Sequence, residues 1–247
     1  MNRRYALKAL AGLALCPLCA STGFAADWGY EGEHGPSHWG DVDAASKVCS
    51  IGSQQSPINI ESSIKSQLPP LQISWRKKPD MIVNNGHTIQ VNAEPGNTLQ
   101  VGKDNYDLLQ YHFHHPSEHL IAGKSYPMEV HFVHRDKAGA LAVVGALMTA
   151  GKPNAAFKQI IADMPAAAGA PVKMKAVADP NAMLPVKRGY YRYSGSLTTP
   201  PCSEVVNWLL LRDPISVAQA DIDAFGKLFP MNARPAQKDN RRFVLSS

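Results

Sequence analysis

Two short histidine-rich runs constrain the fold of this chain more than any other feature. They cover residues 110–115 and 128–134, and the stretch from position 112 to 134 holds six of the nine histidines. Pro116, Gly123 and Pro127 break the chain between the runs, as a reversal requires. Aromatic and β-branched neighbours favour strands. If the two strands pair antiparallel, two imidazoles from the first and one from the second can converge on one point.

Side chains alternate between the two faces of a strand, which sorts these residues into sets. The residues that share a face are Gln110, His112 and His114 in the first run, and Glu129, His131 and Val133 in the second. Three imidazoles without a thiolate are typical of a catalytic zinc site, which keeps a fourth position for water. Gln110 and Glu129 can hydrogen-bond the outer nitrogens of such ligands and fix their tautomers. The alternative interpretation is that these strands simply fill a half-buried sheet.

Residues 1–25 have the layout of a secretory signal. Basic residues accompany an apolar run over residues 6–18, and small residues after it predict cleavage following Ala25 or Ala26. The pair Arg3-Arg4 also resembles a twin-arginine export signal. Removing the three positive charges of this leader lowers the net charge from +5 to +2, so charge gives no reason to expect nucleic acid or an anionic membrane as partner. We expect a periplasmic or secreted protein without a membrane anchor, with one domain over residues 26–247.

Only Cys49 and Cys202 remain after the leader is removed. Export to an oxidising compartment favours a disulfide between them, with two buried free thiols as the alternative. In the chain-entropy model, closing so long a loop stabilises the fold by about 4–5 kcal/mol. Because the two cysteines are far apart in the sequence, we do not expect a thiolate metal site.

The rest of the chain predicts short strands separated by turns, with two helices. An apolar run over residues 140–149 indicates a strand buried on both faces, although its length also fits a helix. One helix is predicted over residues 154–164 with Asn154 as its cap, and another over 216–229, where Ser216 and Gln219 fit a capping box. Strands outnumber helices, so the sequence predicts a mainly β domain with a few peripheral helices. The other predicted strands cover residues 71–75, 81–83, 88–92, 98–101, 189–194 and 205–211.

Two further features are ambiguous when taken alone. His87 follows the turn signal Asn84-Asn85-Gly86, and a single histidine there is most simply a surface residue. Thr198 and Thr199 precede two prolines in a rigid polar loop. A hydroxyl on such a loop either orients a metal-bound water or only caps a turn.

Taken together, these motifs resemble one family. The chain resembles the alpha-class carbonic anhydrases, specifically the exported bacterial members, over residues 28–243. The motifs that carry the resemblance are the two histidine runs, Gln55-Ser56-Pro57-Ile58, Asn84-Asn85-Gly86-His87, Gly195-Ser196-Leu197-Thr198-Thr199-Pro200-Pro201 and Asn232-x-Arg234-Pro235-Ala236-Gln237. The resemblance implies a large, mostly antiparallel central sheet, and reversible hydration of carbon dioxide to bicarbonate and a proton by a zinc-bound hydroxide.

The resemblance also implies roles for the residues at matching positions. The implied zinc ligands are His112, His114 and His131, and the groups implied to hold those rings are Gln110, Glu129 and the carbonyl of Asn232. The implied catalytic residues are the proton shuttle His87 and the orienting pair Thr198 and Glu118. For His87, this replaces the surface interpretation.

The remaining implied roles concern substrate, solvent and stability. The carbon dioxide pocket is implied to comprise Val133, Val143, Leu197, Thr199, Val206 and Trp208. The residues implied to order a water chain are Tyr30, Asn85 and Gln90. Cys49 and Cys202 match the disulfide pair of bacterial members.

The chain departs from the familiar animal members at three positions, none of them a ligand. His115 and Ala233 replace tryptophans, and Gln90 replaces an asparagine. Two other functions compete with carbon dioxide hydration: zinc-dependent ester hydrolysis, and a non-catalytic binding module on the same fold. The expected partners are carbon dioxide and bicarbonate, without nucleic acid, for a monomer or homodimer.

Overall fold

The computed structural model describes residues 28–247, so the predicted leader lies outside the described residues. A mixed sheet of twelve strands dominates this part of the chain, with a separate pair formed by two short strands. The strands are β1 (Asn59–Ile60), β2 (Ile64–Lys65), β3 (Leu71–Ser74), β4 (Met81–Asn84), β5 (Ile89–Asn92), β6 (Thr98–Val101), β7 (Asp104–His114), β8 (Leu120–Ile121), β9 (Met128–Arg135), β10 (Leu141–Ala150), β11 (Val172–Lys173), β12 (Tyr190–Gly195), β13 (Val206–Val217) and β14 (Leu245–Ser246).

The helices are few and short, which confirms the predicted fold class. The α-helices among the described residues are α1 (Val48–Ile51), α2 (Ala155–Asp163) and α3 (Gln219–Leu228), and the 3-10 segments are Gly32–His34, Pro36–Asp41, Ala45–Lys47 and Pro180–Met183. Within residues 28–247, no helix has the length and apolar character needed to cross a membrane.

The main sheet is mostly antiparallel. Its strand order is β11-β4-β5-β7-β9-β10-β13-β12-β14-β2, and β6 joins β3 to β7 beside this path. The longest register, between β10 and β13, is parallel. Both strands are apolar and buried on both faces over most of their length, as is usual for strands in a parallel pair.

The two histidine runs form the adjacent antiparallel strands β7 and β9, as predicted. Their register places Gln110 opposite Val133, His112 opposite His131, and His114 opposite Glu129. Because paired residues point to the same face, this register puts all of these imidazoles on one side of the sheet.

The alternation of the strands divides the core into two clusters. On the face away from His112, His114 and His131, Phe113 packs against Phe157 of α2 and Phe225 of α3, and Phe132 belongs to the same cluster. On the histidine face, a smaller cluster contains Trp208 and its apolar neighbours. The helices therefore cover one face of the sheet and leave the centre of the other for the site.

The predicted start of α2 is confirmed, and the predicted start of α3 is wrong. Asn154 caps α2 as predicted, because its side chain accepts hydrogen bonds from the backbone N–H groups of Ala156 and Phe157. The capping box predicted at Ser216 is wrong. Ser216 belongs to β13 and donates to the Lys152 carbonyl, while α3 begins at Gln219. Strand pairing with β10 holds the segment extended through Val217 and overrides the local helix signal.

A disulfide joins Cys49 and Cys202, which lie 153 residues apart in the sequence. It packs with the buried Trp39 in an aromatic cluster formed by the first described residues. Arg234 lies over Trp39 and donates to the Cys49 carbonyl at 3.0 Å. The amino-terminal segment is thereby fastened to the loops that follow β12 and α3.

Candidate metal centre

Three imidazoles from two neighbouring strands meet at the centre of the sheet. His112 and His114 lie on β7 and His131 on β9, and one nitrogen from each ring lies within 4.8 Å of the other two. The ring centroids are 5.0 Å apart for His112 and His114, and 4.5 Å apart for His114 and His131. This spacing fits three ligands around one ion.

The outer nitrogen of each ring is held by a different partner. His112 Nδ1 lies 2.8 Å from Gln110 Oε1, and His114 Nδ1 lies 2.8 Å from the Asn232 carbonyl. His131 is turned the other way, with its Nε2 2.8 Å from Glu129 Oε1. These contacts leave Nε2 of the first two rings and Nδ1 of the third directed towards the centre. Such outer partners fix the ring orientation of metal ligands.

The chemistry of this donor set fits a metal ion. His114 Nε2 is buried and has no hydrogen-bond partner within residues 28–247, which an ion at the centre would supply. Burial lowers the pKa of His114 to about 4 and that of His112 well below its ordinary value. Burial also lowers the pKa of His131. A histidine must be neutral to bind a metal ion, so the lowered pKa values keep these three rings in the form that binds metal.

His119 is a member of the site that sequence reasoning did not find. Its Nδ1 lies 2.7 Å from the same Glu129 oxygen that holds His131, and the Glu129 carboxylate also accepts from two backbone N–H groups. Burial acts to raise the pKa of Glu129, but His119 and His131 overcome that effect and hold it well below its usual range. His119 and Glu129 are ten positions apart with a turn between them, so the period-two spacing of a strand could not predict this contact.

Glu118 and Thr198 face one another beside the three rings. Burial raises the pKa of the Glu118 carboxyl to about 7, against opposing effects of His131, the Arg234 amide and the Thr198 hydroxyl. Glu118 Oε1 accepts from the Arg234 N–H at 2.9 Å. Glu118 Oε2 has no hydrogen bond of ordinary geometry within the described part of the chain. The orienting role of the pair therefore stays a prediction.

A cavity of about 120 Å³ opens onto His112 and His114. The His87 ring lies at this cavity, stacked on Trp28 with a centroid distance of 3.7 Å and an angle of 6° between the planes. Trp28 was not predicted to contact His87, because nothing in the sequence links two aromatic rings 59 positions apart. The other lining residues are Tyr30, Asn85, Thr88, Gln90, Gln110 and Thr199, which include the three predicted water-ordering positions. Gln90 also donates to Asn92 at 2.7 Å.

Five of the six residues predicted for the carbon dioxide pocket lie together, and the sixth, Thr199, lines the cavity described above. The five residues Val133, Val143, Leu197, Val206 and Trp208 all belong to the smaller cluster on the histidine face. The Trp208 ring lies 4.9 Å from the His131 ring, so this apolar surface begins beside the third ring.

Two other histidines lie outside the triad. His115 is half-buried, with its Nδ1 3.0 Å from the Pro230 carbonyl. Its ring lies so close to Gly226 of α3 that a Cβ there would stand 3.0 Å from His115 Cε1. His134 is fully buried beside Trp75. Both rings therefore lie on the face away from the triad, which agrees with the alternation of the strands.

Comparison with known proteins points to one family. The family of eukaryotic-type carbonic anhydrases matches residues 34–247. A carbonic anhydrase of Pectobacterium carotovorum is 40% identical over 234 residues, covering 94% of this chain and 96% of that protein. One from Neisseria gonorrhoeae is 42% identical over 220 residues, covering 88% of this chain and 87% of that protein.

A solved structure gives the same result. The alpha-carbonic anhydrase of Thermovibrio ammonificans, in complex with the inhibitor sulfanilamide, has a TM-score of 0.87 and 42% identity, covering 89% of this chain and 99% of that one. On this evidence the chain belongs to the eukaryotic-type, or alpha, carbonic anhydrase family.

Proposed function

We propose that the chain binds one zinc ion through His112, His114 and His131 and catalyses reversible hydration of carbon dioxide to bicarbonate and a proton. The observation that carries this proposal is the convergence of three neutral imidazoles whose outer nitrogens are all hydrogen-bonded. Membership of the carbonic anhydrase family supports the same reaction.

Zinc bound there would acidify a water molecule at its open fourth position, chemistry for which carbonic anhydrase is the standard example. Gln110, Glu129 and the Asn232 carbonyl hold the rings so that one nitrogen of each faces the centre. The rest of the mechanism depends on the residues around the triad.

The apolar surface next to His131 binds the substrate. Carbon dioxide has no net dipole, so Val143 and Trp208 hold it without displacing strongly bound water. We assign Thr198 as the hydroxyl that orients the attacking oxygen, with the Glu118 carboxylate as the acceptor for the Thr198 hydrogen. The backbone N–H of Arg234 donates to the other oxygen of that carboxylate and fixes its orientation.

His87 moves the product proton out of the site. A histidine side chain can accept and release protons, and His87 lies at the cavity between the triad and the surface. Polar side chains of Tyr30, Asn85 and Gln90 border the same cavity and can order the waters along which the proton passes. Trp28 supports the ring in its stacked position.

The size of the cavity that opens onto His112 and His114 favours carbon dioxide over a bulky ester as the substrate. At about 120 Å³ it is smaller than the roughly 300–1,000 Å³ of most small-molecule pockets. A substrate of three atoms passes through such a space to the triad more readily than a bulky ester does. We therefore assign ester hydrolysis, at most, as a side activity.

We further propose that the protein works outside the cytoplasm. The disulfide between Cys49 and Cys202 requires an oxidising compartment to form and persist. An export signal over residues 1–25 would deliver the chain there. Mass measurement of the exported protein gives the cleavage site, and we expect a mature chain that begins at Ala26 or Asp27.

Metal content tests the proposed centre. Purified protein should contain about one zinc per chain, and His114→Ala should contain almost none, because a three-ligand site does not tolerate the loss of one ligand. His115→Ala is the matched control, because it removes the neighbouring imidazole and should keep its zinc. Equal zinc in all three proteins would contradict the assignment of the triad.

A further inference from the structure

A chain of buried hydrogen bonds leads from the triad to the loop that follows β12. It begins at His131 Nε2, which lies 2.8 Å from Glu129 Oε1. The same carboxylate oxygen lies 2.7 Å from His119 Nδ1, and His119 Nε2 lies 2.7 Å from the Tyr193 hydroxyl. That hydroxyl lies 3.0 Å from Ser56 Oγ. Tyr193 is therefore the middle member, with three contacts on one side of it and the loop on the other.

The far end of the chain is a reciprocal pair of serines. Ser56 Oγ accepts from the Ser196 N–H at 3.0 Å, and Ser196 Oγ accepts from the Ser56 N–H at 2.9 Å. The Ser196 hydroxyl also donates to the Leu197 carbonyl, and the Ser196 carbonyl accepts from Trp208 Nε1. These contacts fix the first residues of the loop that presents Thr198 to the site.

Every member of this chain is buried. The relative exposure is 2% or less for the six residues, which are Ser56, His119, Glu129, His131, Tyr193 and Ser196. Burial raises the pKa of Tyr193 far above its ordinary value, so the hydroxyl stays protonated and can serve as donor and acceptor at once. A buried polar group is costly when its partner is removed, and removal of one member therefore disturbs its neighbours.

Two glycines leave room for this chain of hydrogen bonds. A Cβ at Gly145 on β10 would lie 2.8 Å from Leu210 Cδ1 and 3.1 Å from Glu129 Oε1. A Cβ at Gly195 on β12 would overlap Ser56 Oγ. Strands β10 and β12 therefore carry no side chain next to Glu129 and Ser56, two members of the chain of hydrogen bonds.

We propose that Tyr193 is a positioning residue that acts in two directions. Through His119 and Glu129 it holds His131 in the orientation of a metal ligand, and through Ser56 and Ser196 it holds the loop that carries Thr198. This inference rests on the proposed zinc site, because positioning of His131 matters only if that ring binds metal.

Removal of the Tyr193 hydroxyl tests this role. Tyr193→Phe keeps the ring and its packing, and Tyr190→Phe is the matched control. Tyr190 lies on the same strand, is equally buried, and donates its hydroxyl to the Pro69 carbonyl at 2.7 Å, remote from the triad. Tyr190→Phe loses one hydrogen bond and Tyr193→Phe loses two, and only the contacts of Tyr193 belong to the chain of hydrogen bonds.

The first readout is the rate at which a chelator removes zinc from the folded protein. We expect Tyr193→Phe to release zinc about fivefold faster than wild type, less than the roughly 10–100-fold effect of changing a direct partner of a ligand. Tyr190→Phe should release zinc at the wild-type rate. The second readout is the visible spectrum of the cobalt-substituted protein, which reports on ligand geometry and should change only in Tyr193→Phe.

A double-mutant cycle tests whether Tyr193 and Ser56 act through the same chain of hydrogen bonds or whether each variant only makes the fold less stable. Ser56→Ala removes the next member, so Tyr193→Phe combined with Ser56→Ala should release zinc no faster than the faster single variant. Equal release from Tyr193→Phe and Tyr190→Phe, or fully additive effects in the cycle, would overturn the role of Tyr193 and leave the proposed function intact. A wild-type protein that binds neither zinc nor cobalt would overturn both. If Tyr193→Phe does not fold, Ser56→Ala against Tyr190→Phe gives the same comparison.

Discussion

At the scale of single residues, Asn232 joins the metal centre to the turn that carries His87. Its carbonyl holds His114 Nδ1, while its side-chain amide donates to the carbonyls of His87 and Phe113 at 2.9 and 3.0 Å. One residue therefore fixes a proposed ligand and the backbone of the proposed proton shuttle.

Loss of the His87 side chain should affect turnover more than substrate capture. For His87→Ala we expect kcat to fall about tenfold or more, with kcat/KM nearly unchanged, because proton transfer follows the chemical step. Added imidazole should restore part of kcat. His38→Ala, which removes an exposed histidine of Pro36–Asp41, is the control and should leave both parameters unchanged. Equal losses in kcat and kcat/KM for His87→Ala would contradict the shuttle role.

His134 should make the protein less stable in acid. Burial lowers its pKa from 6.5 to about 4 in the folded state. Below pH 6.5 the unfolded chain binds a proton that the folded chain does not, so stability is complete above pH 6.5 and falls as the pH drops towards 4. Between pH 7.5 and 5, this side chain should cost about 2 kcal/mol.

Urea unfolding at several pH values tests this prediction. His134→Leu removes the titrating group and keeps the apolar surroundings, so its stability should depend less on pH than that of wild type by about 2 kcal/mol over the same interval. Comparison with wild type cancels the contributions of all other groups. Parallel pH profiles for the two proteins would show that His134 carries no such penalty.

At the scale of elements, the pairing of β9 with β10 controls the space behind the triad. Gly145 lies opposite His131 in the antiparallel register and beside Leu210 in the parallel one. The backbone there has no need of a glycine for its dihedral angles. The absence of a side chain at Gly145 makes room for the Glu129 carboxylate, which holds His131.

Gly145→Ala should weaken both the fold and the metal site. The added methyl group would press on Leu210 and Glu129, and overpacking of this kind typically costs about 1–3 kcal/mol. Displacement of Glu129 should also speed the release of zinc. Gly169→Ala is the control, because this residue is exposed and a Cβ added to it would meet no atom of residues 28–247 within 4 Å. Unchanged stability and zinc release in Gly145→Ala would contradict this role of the glycine.

The sequence predicted elements where local signals and tertiary pairing agree. The β7 and β9 strands follow from alternation and turn residues, and α2 follows from the Asn154 cap. Prediction of α3 from Ser216 failed because pairing of β13 with β10 extends the strand past that signal. The parallel direction of that pairing depends on contacts across the sheet, and no local pattern encodes it.

The residues of the site also fall into those that local sequence patterns predict and those that they do not. Residues close in sequence to the triad, such as Gln110 and Glu129, follow from period-two spacing. His119 and Tyr193 reach the triad only through folding of distant segments, and Trp28 reaches His87 in the same manner. For positions such as His87 and Thr198, physical patterning alone is ambiguous, and their roles are predictions that rest on the resemblance to a family.

At the scale of the whole molecule, the sheet separates structural and functional tasks. Aromatic packing under α2 and α3 fills one face, and the triad with its apolar pocket occupies the other. The disulfide and Arg234 tie the amino-terminal aromatic cluster to the loops around the site. The residues that line the cavity come from positions 28–30, 85–90, 110–114 and 199.

The central claim is that this triad hydrates carbon dioxide, and stopped-flow measurement of that reaction tests it most directly. The mature, zinc-loaded protein should hydrate carbon dioxide far faster than buffer, with a rate that rises with pH, and His112→Ala should abolish it. Removal of zinc should do the same, and addition of zinc should restore the rate. No rate above buffer from protein shown to hold one zinc per chain would contradict the claim.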